Sequence, residues 1–254
     1  MATATAVEIA GLEHSFGGLE VIARMDVSLN AGEVRGIVGP SGCGKSTLLE
    51  LVSGLREPSA GAIAVHGSTS ARDRLASCAF MPQRDLLLPW LSAIDNAAIA
   101  LRNRGASRRE ARSAAHPLFE RFGLAGFEGT RPAELSGGMR QRIAFLRTLL
   151  AGKPVLLLDE PFASLDAITR AEMQEWLAEA LAAESRSVIL VSHDVEEALY
   201  LSDRVTVLSP RPARAVAEIS APAPRARPRL ESVTDPAFTA ARERALEALT
   251  EASA

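Results

Sequence analysis

The apolar stretch Val34–Val38 runs directly into Gly39-Pro40-Ser41-Gly42-Cys43-Gly44-Lys45-Ser46-Thr47. Leu48, Leu49, Leu51 and Val52 then carry helical spacing as far as Gly54. The segment fits the phosphate-binding loop pattern G-x-x-x-x-G-K-[ST], which requires this order of strand, loop and helix. Few features restrict a fold more. Gly39, Gly42 and Gly44 let the backbone come close enough for successive N–H groups to face phosphate oxygens. The following helix adds its positive N-terminal end. Lys45 should reach the β- and γ-phosphates of a nucleotide, and the Ser46 hydroxyl should bind Mg²⁺. Alone, the loop says only that a nucleotide is bound; the bland alternative is a glycine-rich turn.

The 254 residues, 47% hydrophobic, can bury a substantial core as one or two domains. A formal net charge of −3 gives no electrostatic case for a nucleic-acid partner. Cys43 and Cys78 show neither a disulfide framework nor metal-ligand spacing, so a reducing compartment is the simplest reading. The start, Met1-Ala2-Thr3-Ala4-Thr5-Ala6, lacks the charged and apolar regions of a signal peptide. No apolar run approaches the ~18 residues that span a bilayer. The expectation is a soluble, cytoplasmic chain, for which any membrane spans come from another protein.

Further strands are predicted at Ile63–Val65, Cys78–Met81, Val155–Leu158, Val188–Val191 and Val205–Leu208. From Arg84 to Leu150 the pattern is helical. Ser107-Arg108-Arg109-Glu110 is a capping box, followed by apolar Ala111, Ala114, Ala115, Leu118, Phe119 and Phe122, with Gly123 as the stop. A second helix should start at Ser136 and end near Gly152, and a third lies around Thr169–Leu181. Alternation of strand and helix implies a mostly parallel sheet covered on both faces. After Ser220, Pro222, Pro224 and Pro228 alternate with Arg225, Arg227 and Arg229. This reads as a surface linker before a final helix, Pro236–Leu249; as an anionic-lipid contact, three arginines fall short of a membrane-binding cluster.

Leu156-Leu157-Leu158-Asp159-Glu160 places two carboxylates at the end of a buried strand, where open α/β sheets bind their ligands. Asp159 should hold Mg²⁺, mostly through water, and Glu160 should polarise an attacking water as general base. A solvated acidic turn would not explain two acids after four apolar residues. Between loop and carboxylates stands Glu134-Leu135-Ser136-Gly137-Gly138-Met139-Arg140-Gln141. In this order the motifs resemble those of the ATP-binding cassette ATPases, from about Val7 to Ile219.

The resemblance implies an α/β P-loop NTPase core of RecA-like type with a small antiparallel β subdomain, at about 5–83 and 151–220. It implies an inserted helical subdomain at about 84–150; residues 221–254 form the linker and last helix. Its cofactors would be ATP and Mg²⁺. Gly39, Pro40, Ser41, Gly42, Cys43, Gly44, Lys45, Ser46 and Thr47 would cradle the phosphates, Thr47 at the α-phosphate; Cys43 itself carries no nameable chemistry. His193 matches the switch histidine that orients the γ-phosphate and attacking water, although a lone histidine after a strand is more often structural. Gln83 matches the glutamine that contacts Mg²⁺ and senses the γ-phosphate. Phe16 matches the aromatic that stacks on adenine; the other reading is an ordinary core phenylalanine at a strand end. Ser136, Gly137 and Gly138 would face the γ-phosphate held by the opposite subunit, and Asp166, in Ser164-Leu165-Asp166, would touch that subunit. One copy of each motif per chain then implies a two-fold homodimer.

Leu88-Pro89-Trp90, Asp95-Asn96, the Met-Arg-Gln-Arg of residues 139–142 and Asp194-Val195-Glu196-Glu197-Ala198-Leu199 resemble the importers of nitrate, sulfonates, taurine and the thiamine-pyrimidine precursor. That branch implies integral-membrane permease subunits, an extracytoplasmic solute-binding protein and a place at the cytoplasmic face of the membrane. The cargo stays open, with a lean toward the pyrimidine-precursor group. Two other classes are weighed. A soluble ABC-type ATPase without a permease, such as a metal-cluster assembly scaffold, leaves the Leu88-Pro89-Trp90 patch unexplained. A nucleic-acid or ribosome-acting ABC ATPase carries two cassettes or a long coiled-coil insertion, and neither is present.

Overall fold

The computed structural model describes residues 4–163, 165–183, 185–222 and 228–252. Ser164 and the linker residues Pro224, Arg225 and Arg227 therefore lie outside the described residues. Two sheets organise the chain. In the smaller, β1 (Thr5–Phe16) pairs antiparallel with β2 (Leu19–Asn30) and with β4 (Ala60–Val65). Burial alternates along much of β1 and β2, as expected where one sheet face is packed and the other is wet.

The larger sheet has the order β5-β6-β7-β3-β8-β9. β3 (Val34–Val38), β5 (Cys78–Met81), β6 (Val155–Asp159), β7 (Ser187–Ser192) and β8 (Arg204–Leu208) run parallel, and β9 (Ala215–Ser220) closes one edge antiparallel to β8. Every residue of β3, β6 and β7 is buried, which is why these strands read as unbroken apolar runs. β9, mostly exposed on its edge, gave no such signal.

α1 (Lys45–Ser53) ends at Gly54, whose φ of 81° supplies a left-handed C-cap. After α2 (Ala71–Ser77) and β5, the chain leaves the sheet for a helical block: α3 (Ala93–Ala97), α4 (Ile99–Asn103), α5 (Arg108–Arg121) and α6 (Gly137–Leu150). The capping box at Ser107 and Glu110 forms, but Ala114 is exposed: α5 buries Ala111, Ala115 and Phe119 along a narrower stripe. α7 (Ala167–Ala182), α8 (Val195–Leu201), α9 (Arg229–Thr234) and α10 (Pro236–Glu251) complete the order. Arg229 does not stand free for a lipid surface: it bonds Gln174 Oε1 at 2.7 Å and pairs with Glu196. No helix among the described residues is long and apolar enough to cross a membrane.

Candidate active site

The parallel strands deliver their C-terminal ends to one place. β3 leads into the glycine loop, where Gly44 has a φ of 124° and a Cβ there would stand 2.9 Å from Val21 Cγ1, so that glycine alone fits. α1 then starts at Lys45 with no side-chain cap and no acid in its first turn, leaving its leading N–H groups and positive end for an anion. Lys45, 5% exposed, donates to the carbonyls of Gly39 at 2.9 Å and Pro40 at 3.0 Å. Burial raises the Cys43 thiol pKa, so this residue stays protonated and inert.

Glu160 is where the site converges. Gln83, beyond the end of β5, donates from Nε2 to Glu160 Oε2 at 3.1 Å. His193, just after β7, brings Nδ1 within 3.2 Å of the same oxygen. Lys45 Nζ lies 3.8 Å from Oε1. The Glu160 backbone holds a φ of 43°, unfavourable for a residue with a Cβ, and its N–H is fixed to the Val191 carbonyl at 2.9 Å. Such strain persists where surrounding structure over-determines it. Here it turns the carboxylate out of the sheet toward three partners.

Asp159, one residue earlier, is buried and its pKa is raised by that burial, against a lowering bond from Ser46. Its Oδ1 is buried without a hydrogen-bond partner among the described residues. A hard divalent cation between Ser46 and Asp159 would satisfy that oxygen, so the donors present fit Mg²⁺.

A cavity of about 330 Å³ extends from Phe16, Leu19 and Val21 past Ser41, Gly42, Gly44, Lys45, Ser46 and Thr47 to Gln83 and Glu160. Phe16 is no core residue: it is 41% exposed, with His14 edge-on at 4.8 Å and the Arg56 guanidinium 4.9 Å over its ring. Two residues on the site's borders gave no sequence signal. Arg211 lines this cavity, and Leu249 of α10 borders a second cavity of about 610 Å³ beside Gly39, Pro40, Glu160 and His193. Both arrive through tertiary contacts from the far end of the chain.

The signature stands elsewhere. Ser136 is exposed and caps α6, its Oγ accepting from Met139 N at 3.2 Å. Gly138 is buried where a Cβ would come 3.1 Å from Thr169 Cγ2, so α6 packs closely on α7. Asp166 caps α7, and its bonds to Thr169 lower its carboxyl pKa. None of Ser136, Gly137, Gly138 or Asp166 lines the Lys45 cavity. Two arginines of α6 instead grip the segment after Gln83: Arg140 bonds Asp85 at 3.0 Å, and Arg147 bonds the carbonyls of Leu86 at 2.8 Å and Asp85 at 2.6 Å.

Beyond Leu86 the run of apolar residues divides. Leu87 is buried and Leu88 half-buried, whereas Leu86 is 59% and Trp90 69% exposed. Asn96, wholly buried, shapes this loop: its Oδ1 accepts from Leu88 N at 2.7 Å, and its Nδ2 donates to the carbonyls of Leu88, Leu91 and Ser92. Trp90 is thus pushed outward and takes no part in the core.

A protein-family model described as ABC transporter matches residues 22–163. The formylaminopyrimidine import ATP-binding protein ThiZ of Halalkalibacterium halodurans is 43% identical over 80% of this chain and 78% of its own length. The aliphatic sulfonates import ATP-binding protein SsuB 1 of Rhodococcus jostii is 44% identical over 80% and 79%. The taurine import ATP-binding protein TauB of Burkholderia pseudomallei is 42% identical over 80% and 78%. Among solved structures, a dimeric ATP-binding cassette in a post-hydrolysis state with ADP and Pi has a TM-score of 0.73 at 25% identity, covering 85% of this chain and 99% of that one. CbiO1 from Clostridium perfringens, part of an ABC transporter complex, shares the fold with a TM-score of 0.75 at 23% identity, over 87% and 90%.

Proposed function

Since this chain belongs to the ABC transporter family, as an ATP-binding cassette that hydrolyses ATP, we propose that it works as a homodimer energising a membrane permease for uptake of a small solute. The observation that carries the catalytic reading is the convergence of Gln83, His193 and Lys45 on Glu160. Lys45 leaves its loop carbonyls for the β- and γ-phosphates, and the N–H groups from Gly42 to Thr47 share their charge. Ser46, Asp159 and Gln83 would hold Mg²⁺, which supplies charge neutralisation and orientation of the phosphates. Glu160 accepts a proton from the attacking water. Gln83 and His193 hold the carboxylate and that water in place.

Ser136, Gly137 and Gly138 act in trans. The N-terminal turn of α6, where Ser136 caps Met139 N, offers its remaining N–H groups to an anion, and in one chain its residues do not line the Lys45 cavity. A two-fold pair brings it to the partner's γ-phosphate, with Asp166 at the interface.

Trp90 and Leu86 form the docking surface for a short cytoplasmic helix of the permease. An exposed tryptophan is a frequent interface anchor. Its loop follows Gln83 directly and is tied to the signature helix through Arg140 and Arg147, so closure of the pair would be felt by the docked helix. The chain then sits at the cytoplasmic face of the membrane, with an extracytoplasmic solute-binding protein supplying cargo. Resemblance to formylaminopyrimidine, sulfonate and taurine import proteins supports a solute of that kind and leaves the individual cargo open.

Equilibrium binding of a fluorescent ATP analogue tests the site. Lys45→Ala should nearly abolish binding while the fold, read by circular dichroism, persists. Affinity within threefold of the unmodified protein would remove the assignment.

A further inference from the structure

The Lys45 cavity holds a charged side chain that the mechanism above does not use. Arg211 stands on the loop between β8 and β9, in Ser209-Pro210-Arg211-Pro212-Ala213-Arg214. That loop is fastened at both ends: Ser209 N donates to the Arg214 carbonyl and Arg214 N to Ser209 Oγ, each at 3.0 Å. Ala213, fully buried, bonds the backbone of β2, donating to the Val21 carbonyl at 2.9 Å and accepting from Ala23 N at 3.1 Å. Val21 also walls the cavity. The loop is therefore built onto the strand beside the phosphate loop, and Arg211 is placed there by backbone bonds rather than by chance.

The Arg211 guanidinium reaches the Gly42 carbonyl, Nε at 3.1 Å with Nη2 on the same oxygen. Among the described residues no carboxylate pairs with it. The charged side chains lining the cavity are Lys45, Glu160 and Arg211. Lys45 and Glu160, 3.8 Å apart, largely offset each other, so Arg211 leaves the cavity net positive. A neutral carbonyl is a modest partner for a guanidinium, which bonds phosphate oxygens more strongly and in a matching planar fork.

We propose that Arg211 is a phosphate ligand of the bound nucleotide, its guanidinium exchanging the Gly42 carbonyl for a phosphate oxygen when ATP fills the cavity. The proposal rests on the nucleotide reading of this site. Isothermal titration of ATP into the full-length protein, without Mg²⁺ so that hydrolysis is silent, tests it. Arg211→Ala and Arg211→Gln should each weaken ATP by about tenfold, as a lost charge-assisted bond implies, and flatten the salt dependence of binding. Arg211→Lys should recover part of the loss, and adenosine affinity should stay unchanged in all three.

Gln keeps an N–H for the Gly42 carbonyl but no charge. Should Arg211→Gln bind ATP within twofold of the unmodified protein while Lys45→Ala loses binding, Arg211 is a loop brace and the proposal is overturned. Should Lys45→Ala bind as well as the unmodified protein, the nucleotide reading itself falls, and the proposal with it.

Discussion

The sheet core and the helical block handle their functional residues in opposite ways. At the core, separate strand ends deliver Gln83, Glu160, His193 and the Lys45 loop to one point, where their side chains already touch. In the helical block, Ser136 and Trp90 are exposed, each held by its own local cap or loop. One region is a site nearly finished within the chain. The other, on the reading proposed above, is a pair of half-sites that partners complete from outside, and the arginines of α6 join the two.

The largest break in this comparison should come from the core. Glu160→Gln keeps the shape and removes the base, so hydrolysis should slow at least ~100-fold while ATP still binds; steady-state phosphate release measures it, and a loss under tenfold would place the base elsewhere. Trp90→Ala should leave ATP affinity nearly unchanged in the isolated subunit, yet reduce permease binding and transport by tenfold or more, the usual reach of a tryptophan anchor. Transport at the unmodified rate, with the permease assembled in vesicles, would end its docking role.

A smaller effect tests what holds the outward face in place. Asp95, buried at the root of the Trp90 loop, is clasped by Arg112 at 2.7 Å and by Arg108 at 2.5 Å, and the bond from Arg112 leads in lowering its pKa. Asp95→Ala should cost about 2 kcal/mol, less than a fully buried pair because both arginines reach solvent. Urea unfolding gives that number; an unchanged midpoint would make the clasp ornamental.

The smallest concerns the core's hidden acid. Glu197, beneath Glu160 and His193, is pushed up to about 7 from 4.5 by burial. Between those values the folded chain keeps a proton that the unfolded chain releases, so stability falls as pH rises across that interval and levels off above it. Glu197→Gln should erase the slope. The margin of the variant over the unmodified protein should grow by about 1–2 kcal/mol between about pH 5 and pH 6.5; parallel stability–pH curves would show that Glu197 does not titrate there.

The sequence made the sheet core legible because buried parallel strands leave unbroken apolar runs, as at Val34–Val38, and because the phosphate loop's glycines follow one such run without a gap. The helix starts at Ser107 and Ser136 were equally plain, since capping is local chemistry. β9 escaped because an edge strand mixes exposed and buried residues, and Arg211 because only a fold brings residue 211 beside residue 42. The exposure of Trp90 was not legible in a run of apolar residues, because it depends on Leu87 taking the buried position and Asn96 turning the loop outward. Adjacency of Gln83 to Glu160 is likewise a consequence of strand order, β5 beside β6, and no spacing in the chain encodes it.

On the proposed reading each chain carries half of two sites, with Ser136 completing the Lys45 loop of the partner. Glu160→Gln protein, saturated with ATP, should run as a dimer by size exclusion with light scattering, and revert to monomer on removal of the nucleotide. Adding Ser136→Arg should abolish that dimer by crowding the opposite γ-phosphate while leaving ATP binding to the single chain intact. A Glu160→Gln protein that stays monomeric in saturating ATP, or a dimer indifferent to Ser136→Arg, would contradict the shared site.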